Sequence, residues 1–82
     1  FGLSYETFLK MKEDQNDLCK ICGKPETNKN NKRLSVDHCH TSGIIRGLLC
    51  SRCNSALGLF QDNISILMSA INYLKESYGN SK

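Results

Sequence analysis

Cysteine spacing constrains this chain more than any other feature. Cys19-Lys20-Ile21-Cys22 and Cys50-Ser51-Arg52-Cys53 form two C-x-x-C pairs. Each pair can wrap one edge of a tetrahedron in a tight turn, so the two together make a closed, four-thiolate structural zinc site. Gly23 follows the first pair, where such a knuckle favours a residue tolerant of positive φ. The alternatives are disulfides and redox chemistry. Disulfides need an oxidising compartment, whereas the cysteine count is odd, with Cys39 as the fifth, and no signal-peptide pattern is present. A redox C-x-x-C belongs in a βαβ context that these flanks do not offer. Zinc on Cys19, Cys22, Cys50 and Cys53 is the favoured assignment.

A chain of 82 residues forms one domain with little room for a core, and such domains usually need a metal or disulfide staple. Zinc binding and folding are then one event. The start at Phe1 rather than methionine fits a domain excised from a longer protein. No apolar run is long enough to span a bilayer.

The formal net charge is +3, but it is unevenly placed. Residues 17–53 hold seven basic side chains (Lys20, Lys24, Lys29, Lys32, Arg33, Arg46, Arg52) against three acids (Asp17, Glu26, Asp37), a balance of 7 − 3 = +4. Basic charge around a metal knuckle suits a phosphate-binding face, although an ordinary solvated lysine surface would look the same.

Five segments follow from pattern. Residues 4–15 read as a helix capped by Ser4, with Leu3 and Phe8 spaced as a hydrophobic staple and Tyr5, Phe8, Leu9 and Met11 on its apolar side. Residues 19–23 form the first knuckle, and 24–33 a polar, asparagine-rich loop. Residues 34–49 read as a hairpin turning at Thr41-Ser42-Gly43. The second knuckle leads into a helix over 50–60, with Ala56, Leu57 and Phe60 facing inward. Ile64, Leu67, Ile71, Leu74 and Tyr78 then mark an amphipathic helix over 63–78, capped by Asp62 or Asn63 and stopped at Gly79. Packing of this stripe on the domain's own core is the favoured expectation, and a homodimer seam is the alternative.

Between the knuckles lies Asp37-His38-Cys39-His40, and Asn54 directly follows Cys53. Asp37 and Asn54 offer hard oxygen donors of the kind Mg²⁺ or Mn²⁺ prefers, distinct from the soft sulfurs of the zinc site. His38 beside them is a candidate general base for a water attacking phosphorus, because imidazole titrates nearest to neutral pH. Strand alternation places Asp37 opposite His38 and His40, so convergence of all three requires the strand to end or twist there. Reading the histidines as zinc ligands fails on arithmetic, since four cysteines already saturate the ion. Cys39 is left as a spare thiol.

The residues Asp37-His38-Cys39-His40, Gly43, Ile45-Arg46-Gly47-Leu48-Leu49-Cys50, Cys53-Asn54 and Leu57-Gly58-Leu59-Phe60 resemble the recombination endonuclease VII family of HNH nucleases. The opening Phe1-Gly2-Leu3-Ser4 and the closing 62–74 segment fit as well. The resemblance implies an α+β, zinc-stapled ββα-metal (HNH) fold, a core hairpin plus helix flanked by an N-terminal and a C-terminal helix. It implies structural Zn²⁺ on the four paired cysteines and catalytic Mg²⁺ or Mn²⁺ on Asp37 and Asn54. His38 would be the general base, and His40 an auxiliary catalytic residue. Asn54 stands where the wider superfamily often has histidine. The expected activity is metal-dependent DNA cleavage leaving 5′-phosphate and 3′-hydroxyl ends, inside a bacterium or phage-infected host cell, with branched and nicked DNA among the candidate forms. Arg46, Arg52, Lys24, Lys29, Lys32 and Arg33 are the expected phosphate contacts. Two rivals remain at this point: a zinc-stapled DNA-binding module that does not cut, and a protein-interaction domain using the last helix.

Overall fold

The computed structural model describes residues 3–28, 30 and 33–80, with nothing stated of the side chains at 79 and 80. Lys29 and Lys32, two of the expected phosphate contacts, lie outside the described residues, as do Phe1 and Gly2. The element order is α1 (Tyr5–Asp14), β1 (Ser35–His38), β2 (Ile45–Leu49), α2 (Ser51–Leu59) and α3 (Ile64–Asn80). The two strands pair antiparallel and α2 follows directly, which is the expected ββα order.

Helix α1 begins where capping chemistry allows. The Ser4 hydroxyl accepts from the Thr7 N–H at 3.1 Å, which satisfies one of the free donors of the first turn. The helix ends in a Schellman arrangement, with the Asn16 N–H on the Glu13 carbonyl and the Asp17 N–H on the Lys12 carbonyl. Only part of the expected apolar side turns inward. Phe8 and Met11 pack on the core, whereas Tyr5 and Leu9 are exposed, because this helix meets the hairpin along a narrow strip.

The core is very small. Cys19, Leu34, Leu48, Leu49 and Cys50 are buried, with Phe8, Met11, Val36, Cys53 and Leu57 packed around them. Two of these five buried core residues are knuckle cysteines, so the sulfur cluster is itself part of the core. Cys53 and Leu57, one turn apart, are the residues of α2 that meet it. Ala56 and Phe60, expected to face inward, are exposed, since a core this size is covered by a narrow strip of the helix.

Strand β2 has a free edge opposite β1, and α1 supplies its partner. The Gln15 amide donates to the Leu48 carbonyl at 2.9 Å and its oxygen accepts from the Leu48 N–H at 3.0 Å. The Lys20 N–H reaches the same carbonyl at 3.1 Å. One carboxamide thus does the hydrogen bonding of a third strand, at a residue with no exposed surface.

The favoured expectation for α3 does not hold. This helix packs against none of the other four elements, and Ile64, Ile71, Leu74 and Tyr78 are all exposed. Its 17 residues exceed the length at which an isolated helix is marginal, but among the described residues its apolar stripe stays largely exposed, with Leu67 alone of the five half-buried. The Asn63 side chain accepts from the Ile66 N–H at 3.0 Å, so Asn63 rather than Asp62 provides the cap. The helix also runs through Gly79 to Asn80, because glycine ends a helix only where it adopts a left-handed conformation.

Candidate active site and zinc knuckles

The first knuckle is built as its glycine suggests. The Gly23 N–H closes the turn on the Cys19 carbonyl at 2.9 Å, and Gly23 has φ +72°. The second is the start of α2: Cys50 is the N-cap, and its Sγ accepts from the Cys53 N–H at 3.4 Å. The Cys19 Sγ accepts likewise from the Ile21 N–H at 3.4 Å.

The four ligand sulfurs all lie within 4.8 Å of one another. Zn–S bonds of about 2.3 Å in a tetrahedron place sulfurs roughly 3.8 Å apart, and Cys22 and Cys50 stand at 3.8 Å. Without a cation the crowded thiols titrate far from one another. Burial and the neighbouring Cys50, Cys19 and Cys22 thiols push Cys53 up to about 12. At Cys19, burial works in the same upward direction, but N–H donors of Cys50, Cys22 and Ile21 outweigh it and bring that thiol down to about 6. A doubly charged soft cation removes this conflict, so geometry and donor chemistry both fit zinc. Cys39 stands apart from the cluster. Hydrogen bonds from the Ser42 side chain and backbone lower its thiol to about 7.

Two connections at this end of the molecule escaped pattern reading. Glu26, from the polar loop, accepts from both the N–H and the hydroxyl of Ser51 on α2. Arg52 is exposed and has its charged form favoured by a hydrogen bond to the Cys50 sulfur, then by the charge of that thiolate. Lys24 and Arg33 are exposed.

The Asp-His-x-His segment begins at an irregularity of the strand pair. Asp37 pairs with Gly47 and His38 with Ile45, which leaves Arg46 as an extra residue on β2. The irregularity brings Arg46 to Asp37: Nε donates to Oδ2 at 2.7 Å and Nη2 to Oδ1 at 3.1 Å. Asp37 is buried, and its full negative charge needs such a partner. Arg46 also reaches Asp62 at 3.3 Å. Asp62 sits at the C-terminal end of α2, where Gln61 and Asp62 have φ +56° and +54° and the Asp62 N–H bonds the Leu57 carbonyl in a second Schellman arrangement. An expected cap residue is in fact the second partner of Arg46.

His38 and His40 stack, with ring centroids 5.4 Å apart and planes at 26°. His40, Arg46 and Asp62 line one cleft of about 560 Å³ between the hairpin turn and the α2–α3 turn. Asn54 lies exposed on the first turns of α2, and no hydrogen bond among the described residues joins it to Asp37. The structure therefore shows Arg46 holding the Asp37 carboxylate and sharing a cleft with His40, while Asn54 stands on the following helix. A hard divalent ion fits Asp37 on charge, since the cationic position beside its oxygens is filled here by a guanidinium.

Known proteins share this chain's sequence pattern and fold. The sequence pattern of the family described as recombination endonuclease VII matches residues 1–76. The chain is 44% identical over 77 residues to the Gene 59 protein of Mycobacterium phage D29, covering 93% of this chain and 46% of that protein. With the Gene 59 protein of Mycobacterium phage L5 the identity is 43% over 75 residues, covering 90% and 44%. Among solved structures, the beta-beta-alpha-Me type II restriction endonuclease Hpy99I superimposes with a TM-score of 0.63 at 35% identity, covering 92% of this chain and 43% of that one. The chain thus spans less than half the length of the relatives it matches.

Proposed function

This chain belongs to the recombination endonuclease VII family, and from that premise we propose that it is the phosphodiester-cleaving domain of a metal-dependent DNA endonuclease. The observation that carries the reading is the buried Asp37 carboxylate, held by a cation and set beside the His38–His40 pair on a ββα frame. Asp37 and Asn54 would hold Mg²⁺ or Mn²⁺, and Cys19, Cys22, Cys50 and Cys53 the structural Zn²⁺. When bound, the hard ion would supply positive charge to offset the negative charge that develops on the phosphorane and the leaving 3′ oxygen.

The chain's own residues do the rest. His38 accepts the proton of the attacking water, and His40, stacked on it, restricts its ring and faces the cleft. Arg46 and Arg52, with Lys24 and Arg33, grip phosphates without reading sequence. The phage relatives support a place inside an infected bacterium; no helix among the described residues is long and apolar enough to cross a membrane. The uncovered stripe of α3 supports a homodimer, checked by light scattering at several concentrations.

The test is nicking of supercoiled plasmid with Mg²⁺ or Mn²⁺ against a chelator control, repeated on linear, nicked and branched substrates. Binding without cleavage in the zinc-loaded protein would favour the non-cutting module, and absence of salt-sensitive DNA affinity the protein-interaction domain.

A further inference from the structure

Arg46 occupies both oxygens of the carboxylate that is assigned to the hard ion. Nε and Nη2 take one lone pair each of Oδ2 and Oδ1 of Asp37, so an ion that approaches that carboxylate meets the guanidinium's charge while the fork is in place. The same Nη2 lies 3.3 Å from Asp62. The two acids come from different elements, the strand and the α2–α3 turn, and the guanidinium spans the gap between them. Asp37 keeps only 10% of its side chain exposed, whereas Asp62 lies at the cleft wall with 25% exposed. A path therefore runs from the interior carboxylate to the cleft, and both ends of it are anionic.

We propose that Arg46 is an exchangeable counter-ion: it neutralises Asp37 until a divalent ion arrives, and Asp62 is the positioning residue that retains it afterwards at the cleft wall. The proposal rests on the assignment of Asp37 as an ion ligand. Three physical facts support it. A buried carboxylate is not left bare, so the site must hold some cation at every stage. A guanidinium and a divalent ion cannot share one carboxylate's two oxygens without strong repulsion, so one leaves as the other binds. Displacement into water would forfeit the charge-assisted hydrogen bonds of Arg46, and Asp62 preserves them within reach of the same Nη2.

The exchange orders assembly of the site. Before the ion binds, Arg46 is engaged on Asp37 and is a poor phosphate ligand. Afterwards its freed nitrogens face the cleft that His40 also lines, where a scissile phosphate would lie. Metal occupancy and phosphate grip are thus coupled at one side chain, which disfavours tight DNA binding by a site that cannot yet cut.

Free Mn²⁺ measured by electron paramagnetic resonance, in the zinc-loaded protein without DNA, tests this directly. Arg46→Gln is expected to tighten Mn²⁺ binding by about five- to tenfold, the scale of a lost charge-assisted competitor. Arg46→Lys keeps the charge but not the fork, and is expected to tighten binding part of the way. Parent-like affinity in the lysine variant would mean that only charge matters, and would overturn the exchange. Asp62→Asn is expected to weaken binding about two- to fivefold in the parent background and to change nothing in the Arg46→Gln background. An equal effect in both backgrounds would make Asp62 an independent charge or ligand and would overturn its retaining role. Asp37→Asn separates the two levels. If it binds Mn²⁺ like the parent, the ion-ligand assignment fails. If it loses Mn²⁺ while Arg46→Gln and Arg46→Lys match the parent, the exchange alone fails. Zinc content and circular dichroism establish that each variant is folded, and Arg46→Lys carries the test should Arg46→Gln not fold.

Discussion

Glu26 bonds Ser51 twice across the metal site: one carboxylate oxygen accepts from the Ser51 N–H at 2.6 Å and the other from its hydroxyl at 2.8 Å. This bond ties the loop after the first knuckle to the opening turn of α2, whose free N–H groups favour an anion. The carboxyl is held below its ordinary range by N–H donors, Asn28 first and then Ser51.

A group whose folded pKa is depressed stabilises above its unfolded value, and the effect is lost as pH falls through the folded one. Glu26→Gln is therefore expected to lower the thermal midpoint at neutral pH. The gap between parent and variant should close as pH falls below about 4, the ordinary glutamate range. Melts of both proteins across that range check it, and an equal gap at neutral and acidic pH would contradict it.

Gln15 offers a second structural test. Replacing it with alanine leaves the Leu48 N–H without its acceptor in the fully buried core, at a cost of about 1–3 kcal/mol. Denaturant unfolding should show this loss with zinc content unchanged, since the Gln15 side chain bonds Leu18 and Leu48 and is not one of the sulfur ligands.

Zinc removal should be far more severe. With Cys19 and Cys50 forming part of the buried core, a strong chelator is expected to abolish cooperative unfolding, and metal analysis should return about one zinc per chain. Cys39→Ser should retain that zinc, because Cys39 is not among the four clustered sulfurs. Zinc loss in the serine variant would show that the ligand set is wrong.

The proposed catalytic roles separate by mutation. His38→Ala should preserve folding, zinc and DNA binding while cleavage falls by roughly 10²-fold or more, the usual scale for a lost general base. Asp37→Ala and Asn54→Ala should instead blunt the response to added Mg²⁺ or Mn²⁺, with excess metal partly rescuing Asn54→Ala. Cleavage within a few-fold of the parent for His38→Ala would rule out the proton-transfer role.

Local chemistry made much of this protein legible in one dimension. Two C-x-x-C pairs set the sulfur cluster because knuckle geometry depends on four consecutive residues, and Gly23 marked its turn because positive φ is a property of one residue. Ser4 announced α1 for the same reason, and the alternation around Gly43 announced the hairpin. The apolar stripe over 64–78 forecast a helix correctly and its burial wrongly. Periodicity encodes a face, but what covers that face depends on surfaces elsewhere. Gln15 on Leu48, Glu26 on Ser51 and Arg46 between Asp37 and Asp62 were invisible for a related reason. Each joins residues distant in sequence, and polar side chains carry no periodic signature to reveal the partner. The bulge at Arg46 is the clearest case: strand alternation posed the problem of Asp37 and His38, and only the pairing of β1 with β2 decided where the extra residue goes and which carboxylate it meets.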